Sequence, residues 1–308
     1  MKQKIFTFLL IAAAGLTACK KLDNQPDIRE YDKQQIEQYI SGNGLNDFIQ
    51  DPTPDGTGTT GMYYKILTPG SGDSIKYADK ISIVYTLKSF DGKYTSSDTI
   101  SNHIEEYLGH LTADNLPKGL QLAIHNLLQY RGGSMRVLIP SRLAYGVNGF
   151  GSGSITNVNT RIAGNQCLDY YVHVIGDQPA YDDIVINNYM AANSLKGYTK
   201  DALGYYYKII TPGTGAAGEI SEFSTVTATY SGALLNGVAF DESSKTTATT
   251  LTPYNLIDGV KDALIKHAVT GTSISILIPS PLGYGTAAQN SIPSNSALRF
   301  EFQVTKVE

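Results

Sequence analysis

The chain has 308 residues, with 24 basic against 28 acidic for a net charge of −4 at neutral pH, 42% hydrophobic residues and no tryptophan. Charges of both signs are spread without long runs, which argues against a nucleic-acid partner. Beyond its amino-terminal leader the length suits two cores of ordinary size better than one.

In chain order, Lys2 and Lys4 precede an apolar run from Ile5 to Gly15 and then "LTAC". A helix needs about 20 apolar residues to span a bilayer, so this shorter run with a charged start reads as a cleaved signal peptide, residues 1–18. Cleavage leaves 22 basic and 28 acidic residues. "LTAC" resembles the lipobox of bacterial lipoproteins. The resemblance implies that Cys19 becomes the first residue, carries a lipid and anchors the chain to a membrane. It places the protein in the bacterial cell envelope, at the outer membrane, with the face left open. Cys167 is then the one remaining thiol and cannot form an intramolecular disulfide. Its setting, "CLDYYVHVIG", alternates as a strand does, so it reads as a small buried hydrophobe.

The rest of the chain repeats. "YDKQQIEQYI" at 31–40 resembles "YDDIVINNYM" at 181–190; "YYKILTPGSG" at 63–72 matches "YYKIITPGTG" at 206–215; "LIPSRLAYG" at 138–146 matches "LIPSPLGYG" at 277–285. The order is kept and the offset drifts from 150 to 143 to 139 residues, which describes a duplicated unit with loop insertions and deletions. Each unit is predicted to open with a short helix, carrying Ile36, Tyr39 and Ile40 in one and Ile186, Tyr189 and Met190 in the other at i, i+3, i+4 spacing. Between the first helix and its unit, "DPTPDGTGTTG" reads as flexible loop.

Period two follows. "KISIVYTL" puts Ile81, Ile83, Tyr85 and Leu87 on one face, "TVTATYSG" does so with Val226, Ala228 and Tyr230, and "ALRFEFQVTKV" with Leu298, Phe300, Phe302 and Val304. One helix interrupts the strands in each unit, marked by Leu120, Ala123, Ile124, Leu127 and Leu128 after Pro117, and by Ile257, Val260 and Leu264. The expected class is α+β: two units, each an antiparallel sheet wrapped over one short helix. The boundaries read as a tether and short helix at 19–60, a first unit at 61–176, a helical linker at 177–203 and a second unit at 204–308.

Several motifs that resemble chemistry fall away. "GTGTTG" at 56–61 and "GTGAAG" at 213–218 fit GxGxxG, but neither joins a strand to a helix start where a phosphate would sit, so both read as turns. The five His show no ligand spacing, and no GxSxG elbow or paired Cys and His supplies a nucleophile. The 21 Tyr fall mostly on alternating strands, where aromatic residues are favoured.

What remains is an ordered set. In the second unit, "TPGTG", "TATYSGALLNGVAFDES", "LIDGV", "ILIPSPLGYG" and "SIPSNSALRFEF" follow one another as in the FKBP-type peptidyl-prolyl cis-trans isomerases, which each unit resembles. The resemblance implies that Tyr230, Phe240, Asp241, Ile257, Tyr284 and Phe300 do the work, with Leu256, Val260 and Ile292 completing the pocket and Val260 replacing a tryptophan at its floor. In the first unit the matching positions are Tyr85, Tyr94, Thr95, Leu116, Pro117, Leu120, Tyr145, Ile162 and Tyr170. There Tyr94 and Tyr170 replace Phe, Thr95 replaces Asp, and Leu120 replaces Trp. Pro117 falls where the family uses a backbone N–H, which Pro lacks. Tyr145 and Ile162 are 17 residues apart against 8 between Tyr284 and Ile292, so the first unit carries a nine-residue flap insertion.

The resemblance also implies a folding assistant for exported, proline-containing polypeptides, without metal or cofactor, active mainly in the second unit. The first unit is then a weak isomerase or a binding module. The rival reading is a lipoprotein whose two units bind or chaperone clients without turnover. Turnover in such a site needs no acid or nucleophile. Rotation about an amide has a barrier of about 18–20 kcal/mol because resonance is lost on twisting. The twisted bond is less charge-separated than the planar one, so a dry apolar pocket disfavours the ground state more.

Overall fold

The computed structural model describes residues 27–56, 58–151, 160–243 and 247–308. The leader, Cys19 and residues 152–159 of the flap insertion lie outside the described residues.

Helix α1 (Ile28–Gly42) is followed by β1 (Ile49–Gln50), β2 (Tyr63–Thr68), β3 (Lys80–Ser89), β4 (Thr95–Ser96) and β5 (His103–Tyr107). Helix α2 (Lys118–Ala123), β6 (Ser134–Ile139) and β7 (Leu168–Val174) complete the first half. The second half runs α3 (Gln178–Ala192), β8 (Thr199–Lys200), β9 (Tyr206–Thr211), β10 (Val226–Leu234), β11 (Ala239–Glu242), β12 (Thr249–Leu251), α4 (Asp258–His267), β13 (Ser273–Ile278) and β14 (Leu298–Val307).

These strands make two antiparallel sheets of seven. The first has the order β1-β2-β6-β7-β3-β4 with β5 also on β3; the second has β8-β9-β13-β14-β10-β11 with β12 also on β10. Strand for strand, the two orders correspond.

Alternation decides which face each sheet buries. In β10, Val226, Ala228 and Leu234 point inward, and β14 places Leu298, Phe300, Phe302 and Val304 beside them in register, with Tyr230 opposite Phe302 and Gly232 opposite Phe300. Helix α4 lies on this face through Val260, Ala263 and Leu264. Asp258 in its first turn and Lys266 in its last complement the helix dipole. The helix approaches β13 so closely that a Cβ at Gly259 would sit 2.6 Å from Ile278 Cγ2, which reserves that position for glycine. In the first half Gly119 meets Ile139 in the same way. There α2 starts after Pro117 and widens into a π-helical turn at Ile124–Leu128.

The helices that precede the sheets are longer than their sequence triplets suggest, at 15 residues each. They pack on the sheets' other faces, α1 through Ile36 against Leu138 and Cys167, α3 through Ile186 against Tyr206 and Leu277. Each half is therefore layered as helix, sheet, helix. A buried carboxylate from each outer helix reaches the turn after the "LIPS" strand: Asp32 accepts the Arg142 N–H at 3.2 Å, and Asp182 accepts the Ser280 N–H at 2.7 Å. Burial raises the Asp182 pKa, opposed by its hydrogen bonds with Ser280 and Gln178.

The loop expected to be flexible has a hydrogen-bond set of its own. Asp51 is fully buried and accepts from Thr60 Oγ1 at 2.5 Å and from the Thr53 N–H at 2.8 Å, while Arg142 pairs with Asp55 at 2.9 Å. Cys167 is buried with its Sγ 3.5 Å from Asp32, and burial pushes its thiol pKa well up, so it stays protonated.

Candidate functional site

In the second half, β10, β11, α4 and the flap before β14 bring the expected residues to one place. Phe240 meets Phe300 edge to face at 5.5 Å, Phe300 stacks on Phe302 at 5.9 Å, and Phe302 stacks on Tyr230 at 5.5 Å. Such pairs favour offset and edge contacts because the ring face is negative and the edge positive. Val260, Ile292 and Phe300 are buried at the base, Tyr230, Phe240, Leu256 and Ile257 stand half-buried above them, and Tyr284 is 36% exposed at the rim. Gly232 leaves room for the rings: a Cβ there would lie 2.7 Å from Phe240 Cε2 and 2.8 Å from Phe300 Cε1.

Polar groups are few. Tyr230 donates its hydroxyl to Asp241 at 2.9 Å, and burial together with that carboxylate pushes its pKa up to about 12. Tyr284 is raised too, by burial and by the charge of Asp241. Ile257 caps α4 with extended backbone, so its N–H precedes the helical bonds. Neither the Ile257 N–H nor the Tyr284 hydroxyl has a hydrogen-bond partner among the described residues. Two open donors therefore flank an aromatic recess.

The first half places its residues alike but furnishes them differently. Leu116, Leu120, Ile162 and Tyr170 are buried in the core, with Tyr85, Tyr94 and Tyr145 packed against it. Tyr85 and Tyr170 are 5.8 Å apart, and burial with the neighbouring Tyr145 and Tyr94 pushes the Tyr85 pKa up to about 12. Four phenols thus converge where the other half has two Phe and two Tyr. The Tyr145 hydroxyl is already engaged, donating to the Asn115 carbonyl at 3.0 Å, and its ring is covered by Phe150 at 4.7 Å. Pro117, at the position of Ile257, offers no N–H. The insertion falls at the flap tip: Phe150 and Ile162 exchange both backbone bonds, as Gln289 and Ile292 do across a two-residue turn in the other half.

Sequence reasoning did not single out Phe302, whose ring backs Tyr230, although its alternation with Phe300 was visible. It also missed Asp32 and Asp182, whose only signal was the shared "YD" at the head of each helix. An open hollow of about 410 Å³ lies at the second sheet, where Thr229, Ser231, Glu301 and Gln303 line it together with Ile274 and the Tyr230 and Phe302 rings, so it borders the aromatic stack.

An antiparallel sheet half-wrapped over one helix, with aromatic side chains and two open donors gathered at one place, defines a small α+β domain with a concentrated aromatic site. Residues 217–305, which hold every residue of the second-half recess named above, match the family model described as FKBP-type peptidyl-prolyl cis-trans isomerase. Among curated proteins the chain is similar to an "FKBP-type peptidyl-prolyl cis-trans isomerase FkpA" of Buchnera aphidicola, with 35% identity over 116 residues, 37% of this chain and 47% of the relative. It is also similar to the "Outer membrane protein MIP" of Legionella longbeachae, with 32% identity over 123 residues, 39% of this chain and 52% of the relative. The chain thus spans about half the length of these curated relatives. Among solved structures, FkpA from Escherichia coli aligns with 26% identity and a TM-score of 0.37, covering 42% of this chain and 61% of that one.

Proposed function

We propose that the protein is a peptidyl-prolyl cis-trans isomerase that assists the folding of exported polypeptides and works mainly through its second half. Both halves are FKBP-like units in tandem, with boundaries near 61–176 and 204–308. Residues 1–18 are a cleaved signal, and Cys19 carries the lipid that holds the protein in the envelope, at the outer membrane.

The observation that carries this reading is the pair of open donors, Ile257 N–H and Tyr284 hydroxyl, beside the Tyr230, Phe240 and Phe300 rings. A prolyl ring enclosed by those rings loses water around its imide bond. The two donors hold the flanking carbonyls while the bond rotates, so no proton or covalent bond to the protein moves. Each ~1.4 kcal/mol by which the twisted state is favoured over the planar one gives tenfold in rate. In the first half the corresponding donors are a proline and a tyrosine already bonded to Asn115, which supports a binding role there.

The test is refolding of a proline-limited substrate by the full-length protein. Acceleration is expected, with Phe240→Ala and Tyr284→Phe each lowering kcat/KM about tenfold or more. Absence of acceleration by the unaltered protein, together with suppressed client aggregation, would instead establish the non-catalytic chaperone reading.

A further inference from the structure

The flap of the second unit, from Tyr284 to Asn295, is closed at its base by one backbone bond, from the Asn295 N–H to the Gly285 carbonyl at 2.8 Å. Asn295 holds a left-handed φ of 55°, a conformation Asn tolerates better than most residues. The first unit closes its flap in the same way, with Asn165 at φ 57° donating to Gly146 at 2.8 Å. The two hinges differ in their surroundings. Asn165 is exposed, whereas Asn295 is 4% exposed and its neighbours Ser294, Ser296 and Ala297 are buried with it.

The first unit supplies that burial. Strand β5 presents Glu105, whose backbone N–H donates to Ser294 Oγ at 3.2 Å and whose carboxylate accepts from Asn295 Nδ2. Asn295 Nδ2 also lies 3.3 Å from Ser82 Oγ on β3. Lys80 holds the other Glu105 oxygen at 3.3 Å. Alongside, Ile100 packs into the second unit's apolar clusters, and Asn236 of the β10-β11 turn donates to Asp98 at 2.6 Å. The hinge of the second flap is therefore clamped by a carboxylate from the first unit, and the flap it closes carries Tyr284 at its start and Ile292 beside its two-residue turn.

We infer that the first unit acts as a positioning element for the second unit's site, with Glu105 holding the Asn295 hinge so that Tyr284 and Ile292 are set before substrate arrives. A hinge held from outside removes conformations that binding would otherwise have to freeze out, so its release weakens substrate binding more than it slows the bound reaction. The kinetic part rests on the isomerase reading above; the mechanical part does not.

The experiment compares full-length Glu105→Ala and Glu105→Gln, the second of which keeps a carbonyl for Asn295. In Glu105→Ala, amide exchange of residues 285–297 should rise about fivefold or more, with β6 and β7 unchanged, and KM for a short Xaa-Pro peptide should rise about fivefold at near-constant kcat. Glu105→Gln should restore both to within about twofold of the original protein. Unchanged flap exchange in Glu105→Ala, or equal loss in Glu105→Gln, overturns the clamp. Faster exchange with KM unmoved overturns the positioning role. Should the unaltered protein show no turnover, the isomerase reading fails and the exchange comparison alone decides the clamp.

Discussion

Removing one oxygen, in Tyr170→Phe, should make the first unit more stable. The Tyr170 ring is fully buried, and its hydroxyl makes no well-formed hydrogen bond among the described residues. Tyr145 stands beside it and interacts with it, but that hydroxyl donates to the Asn115 carbonyl, and the approach of the two phenols leaves Tyr170 without a well-formed hydrogen bond. A buried polar group left unpaired forfeits about 1–3 kcal/mol of hydration. The substitution keeps the ring, and with it the contacts to Tyr85 and the core, so only that penalty is lifted. A gain of about 1 kcal/mol is expected, the low end, since the hydroxyl fills space that the Phe variant leaves empty. In urea, with a slope of about 1–3 kcal/mol per molar, the midpoint of the first unit's transition should rise by about 0.3–1 M at unchanged slope. Phe300→Tyr in the second unit is the mirror experiment and should lower stability, because the new hydroxyl would enter the aromatic stack of Phe240 and Phe302. A fall in midpoint for Tyr170→Phe would refute the reasoning, because it would mean that the hydroxyl is satisfied in solution.

Two further outcomes follow from the geometry. Gly232→Ala should destabilise the second unit by about 1–3 kcal/mol and abolish turnover, since its Cβ drives Phe240 and Phe300 apart; unfolding midpoints and the refolding assay both report it, and a variant with normal values for each would remove the close-packing argument. His103 is buried, with its Nε2 2.8 Å from Ser82 Oγ and its ring edge-on to Tyr181 at 6.0 Å, and burial lowers its pKa to about 4. Folding favours the neutral ring, so this contribution is complete above the unfolded value of about 6.5 and is lost as pH falls from there towards 4, amounting to roughly 3 kcal/mol. His173 is lowered by burial and acts in the same direction, whereas raised Asp182 acts in the opposite one. Stability measured between pH 7 and 4 should therefore fall less steeply in His103→Gln, and an identical slope would exclude His103 as the cause.

Much of this protein is written in local pattern. The duplicated strings, the period-two faces of β3, β10 and β14, and the apolar stripe of α4 depend on neighbours a few positions apart, and such spacing reads directly as strand or helix. The identities of the recess residues were legible too, because each sits beside a short recognisable run such as "TYSG", "AFDES" or "GYG". What tertiary structure alone decided are the hydrogen bonds across long stretches of chain. Asp182 reaches Ser280 over 98 residues, and Glu105 reaches Asn295 over 190. Tyr145 and Tyr284 show the division most plainly: the two stand in near-identical strings, yet one hydroxyl is spent on Asn115 and the other is open. A side chain's partner is chosen by where the backbone passes after folding, and no periodicity along the chain records that choice.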